Sequence, residues 1–186
     1  MLETIAIILA VVIVIVVALL GYAATKPDTI RYARSARINA PPEQITPLIN
    51  DFRKWPVWSP WEKRDPELKR TFSGNSSGVG SVYGWEGNKN VGSGRMEILE
   101  SSPKNIRIKL DFITPFKASN TADFTFTPQG SATDVDWVMT GENRFIGKVM
   151  SVFMDFDKMI GKDFEAGLAN LKRLAESEVP PAAPTS

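Results

Sequence analysis

Residues 145–178, FIGKVMSVFMDFDKMIGKDFEAGLANLKRLAESE, decide the fold. Val149, Phe153, Phe156, Ile160, Phe164, Leu168, Leu171 and Leu174 recur at steps of three or four, the spacing of one helical face. The spacing predicts one long helix over 145–178, interrupted by Gly161 and Gly167, each costing about 1 kcal/mol relative to Ala. A helix with a single apolar stripe must lay that stripe on another apolar surface.

The chain just upstream supplies the surface. Ile106-Arg107-Ile108-Lys109-Leu110-Asp111-Phe112 and Val135-Asp136-Trp137-Val138-Met139 alternate apolar and polar residues, as a strand with one wet face does. Strands are expected at 68–73, 80–87, 92–101, 104–113, 118–127 and 132–141, separated by short turn-forming segments such as Ser102-Pro103-Lys104-Asn105 and Pro128-Gln129-Gly130. Short separators join antiparallel hairpins. Further upstream, 29–40 reads as a first strand. Pro41-Pro42-Glu43 then opens a helix carrying Ile45, Leu48, Ile49 and Phe52 to about Asp51. Trp55-Pro56-Val57-Trp58-Ser59-Pro60-Trp61 holds two prolines and reads as an irregular aromatic loop.

By strand parity, Tyr83, Trp85, Met96, Ile98, Ile108, Leu110, Phe124, Phe126, Trp137 and Met139 point inward, and Val149, Met150, Phe153, Met154, Phe156, Ile160 and Phe164 face them from the helix. Two facing apolar walls suit a lipophilic cavity. They suit a filled core equally, because both carry apolar residues at the same period. Met150, Met154 and Met159 fit either an adaptable site or gap-filling.

Four segments together resemble one family: Ile38-Asn39-Ala40-Pro41-Pro42-Glu43, the run from Trp55 to Trp61, Gly80-Ser81-Val82-Tyr83-Gly84-Trp85-Glu86-Gly87, and Asp163-Phe164-Glu165-Ala166-Gly167-Leu168-Ala169-Asn170-Leu171-Lys172. They are similar to the SRPBCC superfamily, the START-like or helix-grip fold, and in particular to its bacterial polyketide cyclase/dehydrase and lipid-transport members. The resemblance spans about residues 29–175. It implies an α+β fold in which a seven-stranded antiparallel sheet wraps around a long C-terminal helix with an apolar cavity between them. It is far less specific for activity, since the superfamily includes lipid carriers, coenzyme-Q-binding proteins, hormone receptors, aromatic cyclases and chaperone activators.

Ahead of this domain, residues 5–24 carry no charge, and about 20 helical residues cover the roughly 30 Å hydrocarbon core of a bilayer. The expected organisation is a transmembrane anchor over 1–24, a linker over 25–28, the domain over 29–178 and a disordered Pro-rich tail over 179–186. The competing reading is a cleaved signal sequence, for which Gly21-Tyr22-Ala23 offers small residues, although Glu3 stands where such a signal is normally basic. Lys26, Arg31, Arg34 and Arg37 follow the run, so the positive-inside rule puts the domain in the cytoplasm as a single-pass membrane protein. The linker is short enough that the first strand begins within about 15 Å of the bilayer.

The chain contains no Cys and no His, which excludes disulfides, Cys/His zinc sites, thiol chemistry and any imidazole base. With 22 Lys plus Arg against 21 Asp plus Glu, nothing points to nucleic acid as a partner. Gly84, Gly87, Gly92 and Gly94 sit on a hairpin and lack the helix N-terminus that a phosphate loop needs. Trp55, Trp58 and Trp61 could form a lid, dip into lipid headgroups, or pack against the sheet; exposed indoles would mark the headgroup option. Glu86, Asp136, Asp155 and Asp157 are the acids expected nearest the cavity, and most such groups are solvated or paired.

The sequence thus favours a membrane-anchored binding or transfer module for a lipophilic small molecule such as a lipid, quinone or polyketide-like aromatic. The candidate cavity residues are Tyr83, Trp85, Met96, Ile108, Leu110, Phe124, Phe126, Trp137, Met139, Met150, Phe153, Met154 and Phe164. No catalytic residue, metal or cofactor is assigned, and nothing in the sequence fixes an oligomeric state. One alternative is a cyclase or hydrolase using a buried carboxylate or tyrosine, which calls for a desolvated acid against a tyrosine inside a cavity. The other is a protein-interaction domain, which calls for no cavity.

Overall fold

The computed structural model describes residues 1–177. Glu178, the last residue of the expected helix, and the tail over 179–186 lie outside the described residues. The elements are α1 (Leu2–Ala24), β1 (Thr29–Ile38), α2 (Pro42–Asn50), the short helical turn α3 (Trp55–Trp58), β2 (Lys69–Gly74), β3 (Ser81–Glu86), β4 (Ser93–Ser101), β5 (Asn105–Thr114), β6 (Ala118–Gln129), β7 (Ala132–Glu142), α4 (Phe145–Phe153) and α5 (Phe156–Ser177). All seven strands form one antiparallel sheet in the order β1-β7-β6-β5-β4-β3-β2. Sequence neighbours pair directly through short turns. The tightest is Gly130-Ser131, whose first position has φ 65°, which glycine adopts without steric cost. The first strand closes against the last, and this is the helix-grip topology.

The alternation read from the sequence sets the register. Ile108 lies opposite Ile98 and Ala122, and Phe124 lies opposite Trp137 and Ile106, so the inward residues of four strands form a continuous apolar face. α5 lies across it and buries Phe164, Leu168, Leu171 and Ala175. Trp137 and Phe164 stack with centroids 4.1 Å apart and planes 2° from parallel, and Phe124 stacks on the other side of Trp137 at 4.8 Å. Gly167 makes this closeness feasible, since a Cβ there would stand 2.8 Å from the Trp137 ring.

The run from Trp55 to Trp61 is not the irregular loop its prolines suggest. It folds as a 3-10 turn (Phe52–Lys54), α3 and a second 3-10 turn (Pro60–Lys63), with Pro56 and Pro60 in first-turn positions that need no N–H. The indole N–H of Trp55 donates to the Ile49 carbonyl and that of Trp58 to the Leu48 carbonyl, both at 2.9 Å. These carbonyls belong to the last turn of α2, where no intrahelical partner exists, so the indoles end that helix while filling the core. Trp55 and Trp58 are buried, which rules out the headgroup-dipping reading for them.

The single helix expected over 145–178 is two helices. Met154 is extended (φ −130°, ψ 131°), and the Asp155 carboxylate accepts the Lys158 N–H at 2.9 Å, an N-cap that restarts the chain as α5. α4 does not lie on the sheet with α5; it packs mainly against α1.

α1 stands outside the domain with only Ala23 buried, and it is apolar on all sides. At 23 residues it is about 35 Å long, dimensions shared by bilayer-crossing helices and N-terminal signal sequences. The segment after it is fastened to the domain. The Asn143 N–H donates to the Asp28 carbonyl at 2.7 Å, the Asn143 amide to the Pro27 carbonyl at 2.9 Å, and the Lys148 ammonium to the Asp28 carboxylate.

Candidate ligand groove

The break between α4 and α5 determines where space remains. α5 seals one end of the sheet, whereas α4 leans toward α1 and leaves the other end uncovered. The result is an open groove of about 730 Å³. Its walls include Ile30 and Tyr32 from β1, Phe116 in the turn before β6, Ala118 at the start of β6, Glu142 at the end of β7, Met150 and Phe153 from α4, and Phe156 at the start of α5. Lys26, two residues beyond α1, stands in its rim.

The sequence-based candidates divide between two places. Met150, Phe153 and Met154 line the groove. Met150 faces β1 across the groove, whereas Phe153 and Met154 are turned outward, 70% and 39% exposed. Tyr83, Met96, Ile108, Phe124, Phe126, Trp137, Met139 and Phe164 are packed into the core instead of around space. Trp85 and Leu110 are half-buried against that core and also lie outside the groove.

Arg34 marks the boundary between groove and core. On the inward row of β1 it follows Tyr32 and precedes Ala36, and α5 approaches it at Gly161, where a Cβ would sit 1.8 Å from the guanidinium. Its Nε donates to Glu165 at 2.7 Å, its Nη2 to the Asp157 carboxylate and carbonyl at 3.0 Å each, and its Nη1 to the Ala33 carbonyl at 2.7 Å. The hydrogen bond from Arg34 holds the Asp157 carboxyl below its usual range. Burial, and then the charge of Asp157, pushes the Tyr32 phenol up, so it remains a neutral hydrogen-bonding group in the groove wall.

A buried acid that the sequence did not single out lies elsewhere. Glu62 is only 8% exposed; it accepts the Tyr83 hydroxyl at 2.6 Å and Arg70 Nε at 2.7 Å. Burial and the bond to Glu62 push the Tyr83 phenol up. The trio ties the turn after α3 to β2 and β3, and none of its members lines the groove. All four acids expected near the cavity are exposed; Asp155 and Asp157 do line the groove, whereas Glu86 and Asp136 lie outside it. Among the described residues, no group of three or more acidic side chains converges as a metal site would require.

Ile30, Tyr32 and Phe116 are among the groove residues that sequence patterning missed. β1 was legible as a strand, but its inward row had no assigned partner, and Phe116 sits in a turn where no periodicity applies.

The family model described as "polyketide cyclase / dehydrase and lipid transport" matches residues 29–176. No curated protein sequence matches the chain. Among solved structures, protein MLL2253 from Mesorhizobium loti is similar at 14% identity and TM-score 0.60, covering 81% of this chain and all of that one. The Aha1 protein from Colwellia psychrerythraea, solved as a dimer, is similar at 16% identity and TM-score 0.56, over 79% and 96% of the two chains. The di-domain aromatase/cyclase StfQ of steffimycin biosynthesis is similar at 11% identity and TM-score 0.59, over 80% of this chain and 51% of that one. At these identities the likeness is one of fold, whereas the family match covers the whole folded domain. The chain belongs to the polyketide cyclase/dehydrase and lipid transport family.

Proposed function

We propose that this protein is a bilayer-tethered binding or transfer module for a lipophilic small molecule, held in the groove between the sheet and α4. The observation that carries the proposal is position: the groove opens where α1 leaves the domain, with Lys26 in its rim. A ligand dissolved in the bilayer that α1 crosses meets such a groove at high effective concentration. Its volume falls within the range of about 300–1,000 Å³ typical of small-molecule sites, and apolar walls with a few polar groups suit a lipid, a quinone or a polyketide-like aromatic. With Lys26 and Arg31 on the domain side and Glu3 on the other, the domain faces the cytoplasm.

A catalytic reading would rest on Glu62 and Tyr83, a desolvated acid against a tyrosine. Glu62 is already engaged by both Arg70 and Tyr83, away from the groove, so the geometry favours binding.

The test is organic extraction and native mass spectrometry of the full chain purified from membranes, followed by titration with fluorescent fatty-acyl and quinone probes. Lipophilic material should copurify, and Met150→Arg should abolish both its retention and probe binding. An empty protein that binds neither probe overturns the proposal.

A further inference from the structure

Five large apolar side chains near the groove point into open space. Phe145 is 52% exposed, Ile146 59%, Phe116 63% and Phe153 70%, with Met154 beside them. Clustered exposure of this kind marks a contact surface. We infer that α4 and the turn carrying Phe116 form a second membrane-contacting element, inserting into the interfacial layer of the bilayer that α1 crosses, so that the groove mouth opens into lipid. The inference rests on the membrane-span reading of α1 made under Proposed function.

A bilayer is the occupant because the fold leaves α4 nowhere else to be. α4 packs against α1, and Asn143 and Lys148 clamp the residues between α1 and β1. The exit point of α1 and the apolar face of α4 therefore form one rigid unit. α1 is about 35 Å long, against a hydrocarbon core of about 30 Å, so its last turn lies at the headgroup boundary, and α4 lies at that depth with it. α4 has the apolar face of an interfacial helix. Lys26, Lys117 and Arg144 surround that face at the level where lipid phosphates sit, and Glu142 is paired with Arg144 at 3.3 Å. Phe116 lines the same groove from the opposite side, so inserting both walls places the opening between them in the acyl region.

The absence of cysteine makes a direct test clean, since any introduced thiol is the only one. Spin labels at Phe116→Cys, Phe153→Cys, Val57→Cys and Val12→Cys in the full chain, reconstituted into phosphatidylcholine–phosphatidylglycerol vesicles, report contact with oxygen, which concentrates in lipid, and with a nickel chelate, which stays in water. All four positions are exposed on the protein, so the substitutions leave the core intact. Oxygen should dominate at 12, 116 and 153, and the nickel chelate at 57, which lies in α3 and outside the groove lining. If 116 and 153 behave as 57 while 12 reports lipid, α1 is a span but the docking surface is overturned. If 12 also reports water, the span reading falls and the inference with it. Strong dipolar coupling between labels at 153 would show a second copy covering the face, which also overturns the inference.

Discussion

The inward row of β1 has two unlike ends. Ile30 and Tyr32 look into an open groove, while Ile38, eight residues along the same strand, is sealed beneath α2 and α5. The sheet is continuous across both ends, so the strand pattern does not explain the difference. What differs is the covering layer. Beside Ile38, the last turns of α5 are fastened to the strand, Lys172 donating to the Arg37 carbonyl and Glu176 accepting the Asn39 N–H, each at 2.7 Å, whereas over Ile30 the chain breaks at Met154 and Asp155 and α4 turns to α1. One end of the molecule is a filled core and the other an open groove, the surface proposed to bind ligand.

The filled end should be costly to damage. Phe164→Ala removes the ring stacked on Trp137 and leaves a void in a region with no slack, for a loss of about 3–5 kcal/mol. Denaturant titration of the full chain in detergent measures it. A loss below about 1 kcal/mol would mean that this end is loosely packed and that the contrast is false.

Two glycines of α5 sharpen the contrast. At Gly167 an added Cβ meets the Trp137 ring at 2.8 Å and Pro60 at 3.3 Å, in a stack that cannot retreat. Overpacking costs about 1–3 kcal/mol and the gain in helix propensity offsets about 1, so Gly167→Ala should destabilise by about 1 kcal/mol. At Gly161 the Cβ meets only the tip of Arg34, which can swing into solvent. The ion pairs lost involve exposed carboxylates and contribute little, and the gain in helix propensity offsets them, so Gly161→Ala should be close to neutral. Equal effects at the two positions would place the boundary somewhere other than Arg34.

Acid should separate the ends locally. Asp157 titrates below its ordinary value of 3.8 because Arg34 donates to it, so its contribution is complete above that pH and is lost as the pH falls through the lowered value. Asp134 and Glu176 are lowered in the same way by Arg37 and by Lys172, but they flank residues such as Ile38 and Ala175 that burial holds in place. Amide exchange below pH 3.8 should therefore quicken first across the opening turn of α5, and Asp157→Asn should remove that pH dependence. The Tyr83 phenol runs the other way: being raised by burial and by Glu62, it supports the fold fully below its unfolded value of about 10, and that support is lost progressively as the pH rises from there through the raised value.

Most of the fold was legible because strand alternation and short turns are local. The pairing of β5 with β4 and β6 follows directly from Ile106, Ile108 and Leu110. The groove was far less legible. An unbroken apolar period over 145–178 conceals the Asp155 cap, since capping depends on one side chain and leaves hydrophobic spacing untouched. The same period makes Phe153 and Phe164 look equivalent, although one is 70% exposed and the other 2%. Glu62 was invisible because its burial arises from Arg70 and Tyr83, distant in sequence.

Phe153 is where stability and function should part. A side chain 70% exposed contributes little to folding, so Phe153→Ser should change stability by no more than about 0.5 kcal/mol. A ligand lying in the groove covers part of that ring, and losing about 1 kcal/mol of apolar contact weakens binding roughly fivefold. Probe titration in detergent isolates this effect, because bilayer docking plays no part there. Val57→Ser, at another exposed position that does not line the groove, should alter neither quantity. If Phe153→Ser leaves binding unchanged while Met150→Arg abolishes it, the ligand lies deeper, against Tyr32 and Ile30, and the outer half of the groove serves the membrane rather than the ligand.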